Sequence, residues 1–415
     1  MMKTRNTCRV CNGALEPILD LGEHFVSDFP KPGDVPASKA PLDLVLCKRC
    51  RLLQLRHTVD PNEMYRNYWY KSGTNQTMRN ALADIANKAE TLIHLKEGDL
   101  VLDIGCNDGT LLTSYRTGGI TKAGIDPSNV AEQARPVVDK LAVDFFSAEV
   151  YAREIGTQRA KIVTSIAMFY DLEDPKRFVA DVKSVLDEDG LWIIQMSYLP
   201  LMLKTNEFGN ICHEHLEYYS LQSLEYLLHL HDFEIVDLEM NDINGGSLRA
   251  YIRNRGAASH DFGDATYRAM AEDRTQAMRE AEIKLGLAER QVYDEFAVRV
   301  ERIKRDTVRY VRSAVAEGKK VYVYGASTKG NTVLQYFGLD GALITAAAER
   351  NPDKWGRVTV GTNIPIVSEA EAREAKPDYF LVLPWHFLQE FMAREHDYLY
   401  GGGRFIVPFP YFTLI

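Results

Sequence analysis

Three consecutive residues, His213-Glu214-His215, set a carboxyl between two imidazoles. An imidazole takes or gives a proton near neutral pH, and an adjacent carboxylate strengthens it as a base. In an extended segment neighbouring side chains alternate in direction, so the two histidines share one side and Glu214 points elsewhere. The pattern lacks the i, i+4 histidine spacing of a helical zinc-protease motif. One reading of the segment is a general base. The other is a surface loop with a structural histidine.

Four of the six cysteines form two C-x-x-C pairs, Cys8 with Cys11 and Cys47 with Cys50, with 35 residues between the pairs. Each pair can place two thiolates on one knuckle turn, and two knuckles complete a tetrahedral zinc site. Four protein ligands leave no open position, so the zinc is structural. A redox pair is the competing reading.

Asp103-Ile-Gly105-Cys-Asn107-Asp-Gly109 follows an apolar run and opens a helical pattern. Glycines let backbone approach a ligand, and a helix start offers free N–H donors. Asn107 stands where a dinucleotide fingerprint has its second glycine. Asp126 ends the next strand, 17 residues after Gly109, and suits a ribose diol. Asp144-Phe145-Phe146 ends another strand, where an adenine fits. The acidic residue at the strand end and the D-x-G-x-x-x-G spacing resemble class I S-adenosylmethionine (SAM) methyltransferases more than NAD enzymes. A doubly wound domain with an empty crevice is the plainer alternative.

A second glycine loop, Gly325-Ala-Ser327-Thr328-Lys329-Gly-Asn331, follows the run Val321 to Tyr324. Backbone N–H groups and Lys329 suit a diphosphate, although this is not a Walker loop. Trp385-His386 follows another strand, where a base or sugar can stack.

These groups need scaffolds. Val101 to Ile104, Ala123 to Ile125, Ile162 to Ile166 and Leu191 to Met196 read as buried strands between helical stretches, the pattern of a parallel sheet. From about 261 to 319 apolar residues recur at helical spacing, with Ala281, Leu285, Ala288, Val292, Phe296, Val300 and Ile303 as an inner stripe. A second α/β unit is expected to use Val321 to Tyr324, Leu343 to Ala347, Tyr379 to Val382 and Arg404 to Val407 as strands. The expected division is a zinc module (1–62), a Rossmann-like α/β domain (63–253), a helical connector (254–319) and a C-terminal Rossmann-like unit (320–415).

Composition agrees with a soluble globular protein. At about 150 residues per domain, 415 residues hold two or three domains. Apolar residues make 46% and charged residues 26%, as in globular proteins. The polar start and the lack of long apolar runs predict neither signal peptide nor membrane span, hence a cytoplasmic protein. A net charge of −9 disfavours bulk nucleic-acid binding. Oligomeric state has no signature in the sequence.

The whole chain resembles the sugar C-methyltransferases of deoxysugar pathways. The paired C-x-x-C, Tyr68-Trp-Tyr70-Lys-Ser-Gly, the Asp103 to Gly109 loop, Glu214-His215 and Tyr324 to Gly330 match in order. The resemblance implies an N-terminal zinc-binding domain, a central SAM domain and a C-terminal Rossmann-like domain. It implies methylation of a nucleotide-linked 4-keto sugar, typically at C3. By the same resemblance His215 is the base, Glu214 orients it, and Tyr70 sits near the sugar. Cys212 stands where some members have Tyr, and Asp171 where some have a catalytic-site His. Two other readings compete: an O- or N-methyltransferase of a sugar nucleotide or other small metabolite, and a zinc-ribbon nucleic-acid-modifying protein.

Overall fold

The computed structural model describes residues 2–35, 37–65, 69–257 and 262–415. The chain opens with β1 (Lys3–Thr4), β2 (Leu15–Phe25), β3 (Lys39–Cys47), β4 (Leu53–Leu55) and β5 (His57–Thr58). Strands β2, β3 and β4 pair antiparallel, and β1 pairs with β5. Leu42, Leu44 and Leu46 alternate along β3 and are fully buried, so one face of this sheet lies on a core. Helices α1 (Pro61–Tyr65) and α2 (Gln76–Leu92) lead onward. Leu82, Ile85, Ala89 and Leu92 give α2 one buried stripe.

The central unit runs β6 (Leu100–Ile104), β7 (Thr121–Ile125), β8 (Lys140–Ala142), α3 (Ala148–Val150), β9 (Ala160–Ile166), α4 (Pro175–Val185) and β10 (Leu186–Ser197). It continues with α5 (Leu199–Thr205), β11 (Glu217–Tyr218), α6 (Leu221–His229), β12 (Phe233–Asn241) and β13 (Ser247–Asn254). Seven strands form a sheet in the order β12-β13-β10-β9-β6-β7-β8. The pairs from β10 to β8 are parallel, and β13 is antiparallel to both neighbours. This is the class I methyltransferase arrangement. The strand order reverses at β6, which opens a crevice at the carboxyl ends of β6 and β9. β11 leaves this sheet and pairs with β4, Glu217 facing Gln54 and Tyr218 facing Leu53.

Helices α7 (Ala265–Leu285) and α8 (Gln291–Ala316) follow. Phe296, Val300 and Ile303 are buried as expected, but Ala281, Leu285 and Ala288 are exposed. Gly286 takes a left-handed conformation (φ 74°) and ends α7, so one stripe cannot keep its phase across the break. α7 instead turns Ala271, Thr275 and Glu282 inward.

The last unit comprises β14 (Val321–Tyr324), α9 (Thr328–Phe337), β15 (Ala347–Glu349), β16 (Ile366–Ser368), α10 (Glu369–Glu374) and β17 (Tyr379–Val382). It closes with α11 (Leu388–Arg394), α12 (His396–Tyr400), β18 (Arg404–Val407) and β19 (Thr413–Leu414). The sheet order is β16-β15-β14-β17-β18-β19, parallel except for β19. The strand expected at Leu343 to Ala347 starts only at Ala347. Leu343 and Ile344 N–H donate to the Asp340 carbonyl in a turn, which withholds them from the ladder. Among the described residues no helix is long and apolar enough to cross a membrane.

Phe208 joins the central and last units. Its ring is fully buried, with the rings of Tyr336, Phe337 and Phe409 at 5.3–5.7 Å. Replacing Phe208 by Ala is expected to cost about 3–5 kcal/mol in chemical denaturation. A loss under about 1 kcal/mol would show that this ring does not hold the units together.

Candidate active site

A cavity of about 1420 Å³ lies between the crevice of the central sheet and the loops of the C-terminal sheet. Gly105, Asn107 and Asp126 line one end. Asp171, Glu214 and His215 line its wall, and Ser327, Thr328 and Lys329 reach it from the C-terminal unit. Three motifs that are far apart in sequence therefore share one space.

The glycine loop is built by hydrogen bonds across the chain. Gly105 has φ 77°, and a Cβ there would meet Met168 at 3.0 Å. Asn107 N–H donates to Asp126 Oδ2 at 2.9 Å, while Ser128 N–H and Oγ donate to Asp126 Oδ1 at 2.8 and 2.5 Å. A carboxylate has about four acceptor directions, so Asp126 keeps about one for a ligand hydroxyl. Phe145 and Phe146 line the cavity, but Asp144 does not. Its Oδ2 pairs with Arg153 at 3.3 Å, on the outer side. Gly109 (φ 77°) packs against Ala134 and Val137 and is a turn residue.

The segment after Trp69 lies across this loop, and sequence reading missed the contact. Ser72 N–H donates to Asn107 Oδ1 at 2.9 Å, Asn107 Nδ2 to the Tyr70 carbonyl at 3.1 Å, and Gly73 N–H to Asp108 Oδ2 at 2.7 Å. Tyr70 lines the cavity. Surrounding protein and then Asp108 hold its phenol above the ordinary value, so it remains an O–H donor at neutral pH. Tyr68 lies outside the described residues.

His215 donates from Nδ1 to the Asn210 carbonyl at 3.0 Å. A carbonyl only accepts, so this bond leaves Nε2 as the lone-pair nitrogen. The partner that sets the tautomer is thus Asn210 and not Glu214. Tyr170 meets the imidazole edge-on at 4.5 Å between centroids. Burial, then Lys329, lowers the imidazole pKa to about 3. His213 points elsewhere: its Nε2 donates to the Ala40 carbonyl at 2.9 Å. The Glu214 Oε2 and Asp171 Oδ1 atoms are buried without hydrogen-bond partners. Burial raises both carboxyls, and the Glu214 charge raises Asp171 further.

In the C-terminal unit Ser327 caps α9 by accepting from Gly330 N–H at 3.0 Å. Lys329 holds up no ion pair among the described residues. Other residues named in this loop serve the scaffold. Gly325 (φ 87°) gives the turn room against Pro384. Asn331 is buried and donates to Ser27 Oγ at 3.0 Å and the Asp28 carbonyl at 3.2 Å. Trp385 Nε1 donates to Glu207, and the Trp385-His386 pair packs by Gly245, outside the cavity. The cavity instead takes Arg350 and Lys354, from the loop after β15.

The four cysteine Sγ atoms lie within 4.8 Å of one another. Val10, Gly13 and Arg49 N–H donate to Cys8, Cys11 and Cys47 Sγ at 3.3–3.4 Å. A Cβ at Gly13 would meet Cys47 Sγ at 3.0 Å. Donors aimed at sulfur and a closed four-thiol set fit a zinc ion.

Three family models match the chain in order: a zinc binding domain over residues 8–65, a methyltransferase domain over 74–238, and a C-methyltransferase C-terminal domain over 242–410. With the fold and loop above, they define a SAM-dependent methyltransferase that also binds zinc. C-methyltransferase NovU of Streptomyces niveus is 35% identical over 373 residues, 89% of this chain and 86% of that protein. The chain belongs to this C-methyltransferase family. Two solved structures align at lower similarity. Magnesium protoporphyrin IX methyltransferase from Synechocystis PCC 6803 with SAM has 14% identity, 43% and 76% coverage and a TM-score of 0.30. The plantazolicin methyltransferase BpumL has 15%, 43% and 83%, and 0.33.

The residues fit SAM. Asp103 is buried with Thr164 Oγ1 donating to it at 2.6 Å. Burial, opposed by Thr164 and reinforced by Asp126, pushes its carboxyl up to about 7. A cationic ligand restores the charge, and SAM carries an ammonium and a sulfonium. SAM binding near pH 6.5 is therefore expected to release part of a proton, read by calorimetry in buffers of different ionisation enthalpy. Asp103→Asn should abolish the release and weaken SAM binding about tenfold or more. Equal release in both proteins would remove Asp103 from this role. Stripping the metal or introducing Cys47→Ala should lower the melting temperature and unfold the N-terminal sheet first, read by hydrogen exchange over β2 and β3. Unchanged protection there would exclude a structural zinc.

Proposed function

We propose that the protein methylates a carbon next to the ketone of a nucleotide-linked keto-deoxysugar, with a 4-keto sugar methylated at C3 as the working substrate. The observation that carries this reading is the His215 tautomer: the Asn210 carbonyl holds the Nδ1 proton, and the basic nitrogen stays on a residue of the cavity wall. Sugar O–H groups need no enolate, whereas a C–H does.

A proton α to a ketone is acidic enough for a positioned base. His215 Nε2 takes it, the electron pair moves to the ketone oxygen, and an enolate forms. Its low proton affinity keeps the imidazole neutral and ready at neutral pH, and the negative charge on the enolate raises that affinity during transfer. Lys329 and the Tyr70 phenol are the donors for the enolate oxygen. SAM supplies an electrophilic methyl on a positive sulfur. Burial raises the carboxyls of Asp171 and Glu214 and so disfavours negative charge on the wall behind His215.

We assign residues 1–62 to zinc binding, 63–253 to cofactor and base, 254–319 to connection and 320–415 to the nucleotide. Lys329, Arg350 and Lys354 supply the positive charge that a diphosphate needs in a chain of net charge −9. The proposal includes a cytoplasmic location, where nucleotide sugars and SAM are made, and no nucleic-acid partner.

The test is deuterium wash-in. Keto-sugar nucleotides incubated in D₂O with the protein and a non-methylating SAM analogue should gain deuterium α to the ketone. His215→Ala should lower exchange and turnover about a hundredfold or more while leaving SAM affinity unchanged. Turnover at the native rate in that variant would end the base assignment, and absence of exchange with every keto sugar would end the substrate assignment.

A further inference from the structure

The zinc module holds a buried cation that the chemistry above does not use. Arg9 lies between the ligands Cys8 and Cys11, yet its side chain turns away from the knuckle and is 1% exposed. Its Nη2 donates to Thr58 Oγ1 at 2.8 Å, and its Nη1 donates to Gln54 Oε1 at 3.3 Å and to the Leu55 carbonyl. Gln54 in turn donates from Nε2 to Cys8 Sγ at 3.2 Å. Metal ligand, amide and guanidinium therefore form one connected set.

The third edge of that guanidinium faces the catalytic segment. Arg9 Nε lies 3.6 Å from Glu217 Oε1 and 3.5 Å from Glu173 Oε2. Glu173 has other cations, with Lys3 at 2.5 Å and Arg5 at 2.6 Å. Glu217 is 1% exposed, and Arg9 is its sole ion-pair partner among the described residues. A buried carboxylate that loses its cation either takes a proton or drags its backbone toward water.

Glu217 stands two residues after His215. The residue between them is clamped on both sides: Leu216 N–H donates to the Tyr170 carbonyl at 2.8 Å, and Leu55 N–H donates to the Leu216 carbonyl at 2.9 Å. The carbonyl of the same Leu55 accepts from Arg9 Nη1. Tyr170 carries the ring that meets the His215 imidazole. A shift of β11 against β4 therefore moves the imidazole and the ring beside it together.

We infer that Arg9 is a positioning residue for His215: its ion pair with Glu217 ties the zinc knuckle to the backbone that carries the base. The inference rests on the reading of His215 as that base. It gives the zinc module a task beyond its own stability, because a knuckle that loses its metal also loses the fixed start of the Arg9 side chain. The metal never touches the substrate, yet it sets where the proton acceptor stands.

The test uses the full zinc-loaded protein and three variants: Arg9→Met, Glu217→Gln and the double. Zinc content, SAM affinity, the His215 imidazole resonance (identified by its loss in His215→Ala) and α-proton exchange are measured on each. Arg9→Met should keep zinc and SAM affinity, move the His215 resonance, and lower exchange about ten- to a hundredfold. Adding Glu217→Gln breaks the same tie from its other end, so its loss in exchange should not add to that of Arg9→Met. A native His215 resonance in Arg9→Met, or losses that simply add in the double variant, would overturn the inference. Should Arg9→Met fail to fold, Glu217→Gln decides by itself: a moved resonance at full zinc content supports the link, and an unmoved one rejects it. If the native protein exchanges no keto sugar, the functional reading falls, while zinc content and the His215 resonance still judge the Arg9 link.

Discussion

Buried irregular backbone has to find its hydrogen-bond partners outside itself, and residues 206–218 find theirs in three directions. Asn206 donates to the Pro410 carbonyl at 2.9 Å and accepts from Arg299 of α8 at 2.8 Å. Glu207 accepts from Trp385, and Phe208 fills an aromatic pocket of the C-terminal unit. His213 binds the Ala40 carbonyl of β3, Tyr65 Oη donates to the Glu214 carbonyl at 3.1 Å, and Leu216 is stitched to Leu55 and Tyr170. Every unit of the chain therefore helps to hold the loop that carries His215. The arrangement explains why the zinc module, the connector and the last sheet accompany a methyltransferase domain whose own sheet is complete without them.

The electrostatics around Lys329 follow from the same crowding. Water is excluded from around His215, His386 and Glu207, so each is pushed toward its neutral form, with Lys329 adding to the effect on the two imidazoles. At Glu207 Lys329 works against burial and favours the charged form.

Much of this was legible in residue order. Strands buried on both faces appear as unbroken apolar runs, and Val321–Tyr324, Tyr379–Val382 and Arg404–Val407 have the bounds expected of them. The two C-x-x-C pairs converge because a tetrahedral ion has room for four thiolates in one place only. What failed depended on phase or on the far side of a residue. Leu343 and Ile344 are apolar enough for a strand but are claimed by the Asp340 turn. Asn331, Trp385 and His386 stand at loop positions that commonly meet ligands, yet packing turned them toward Ser27, Glu207 and Gly245.

The sequence by itself determined the elements and the chemical types: where strands and helices form, which cysteines bind metal, which loops can admit a cofactor, and that a histidine beside a carboxyl is available as a base. Those are local properties, set by spacing, side-chain volume and ionisation. Only the tertiary structure decided which nitrogen of His215 is basic, because the Asn210 carbonyl that holds the other one is placed there by packing. It also decided that Glu217 leaves its own sheet to pair with β4 beneath Arg9. The Asn210 carbonyl is near in sequence but is aimed at the imidazole only by the fold of the loop, and a counter-ion more than a hundred residues away leaves no local trace in the chain.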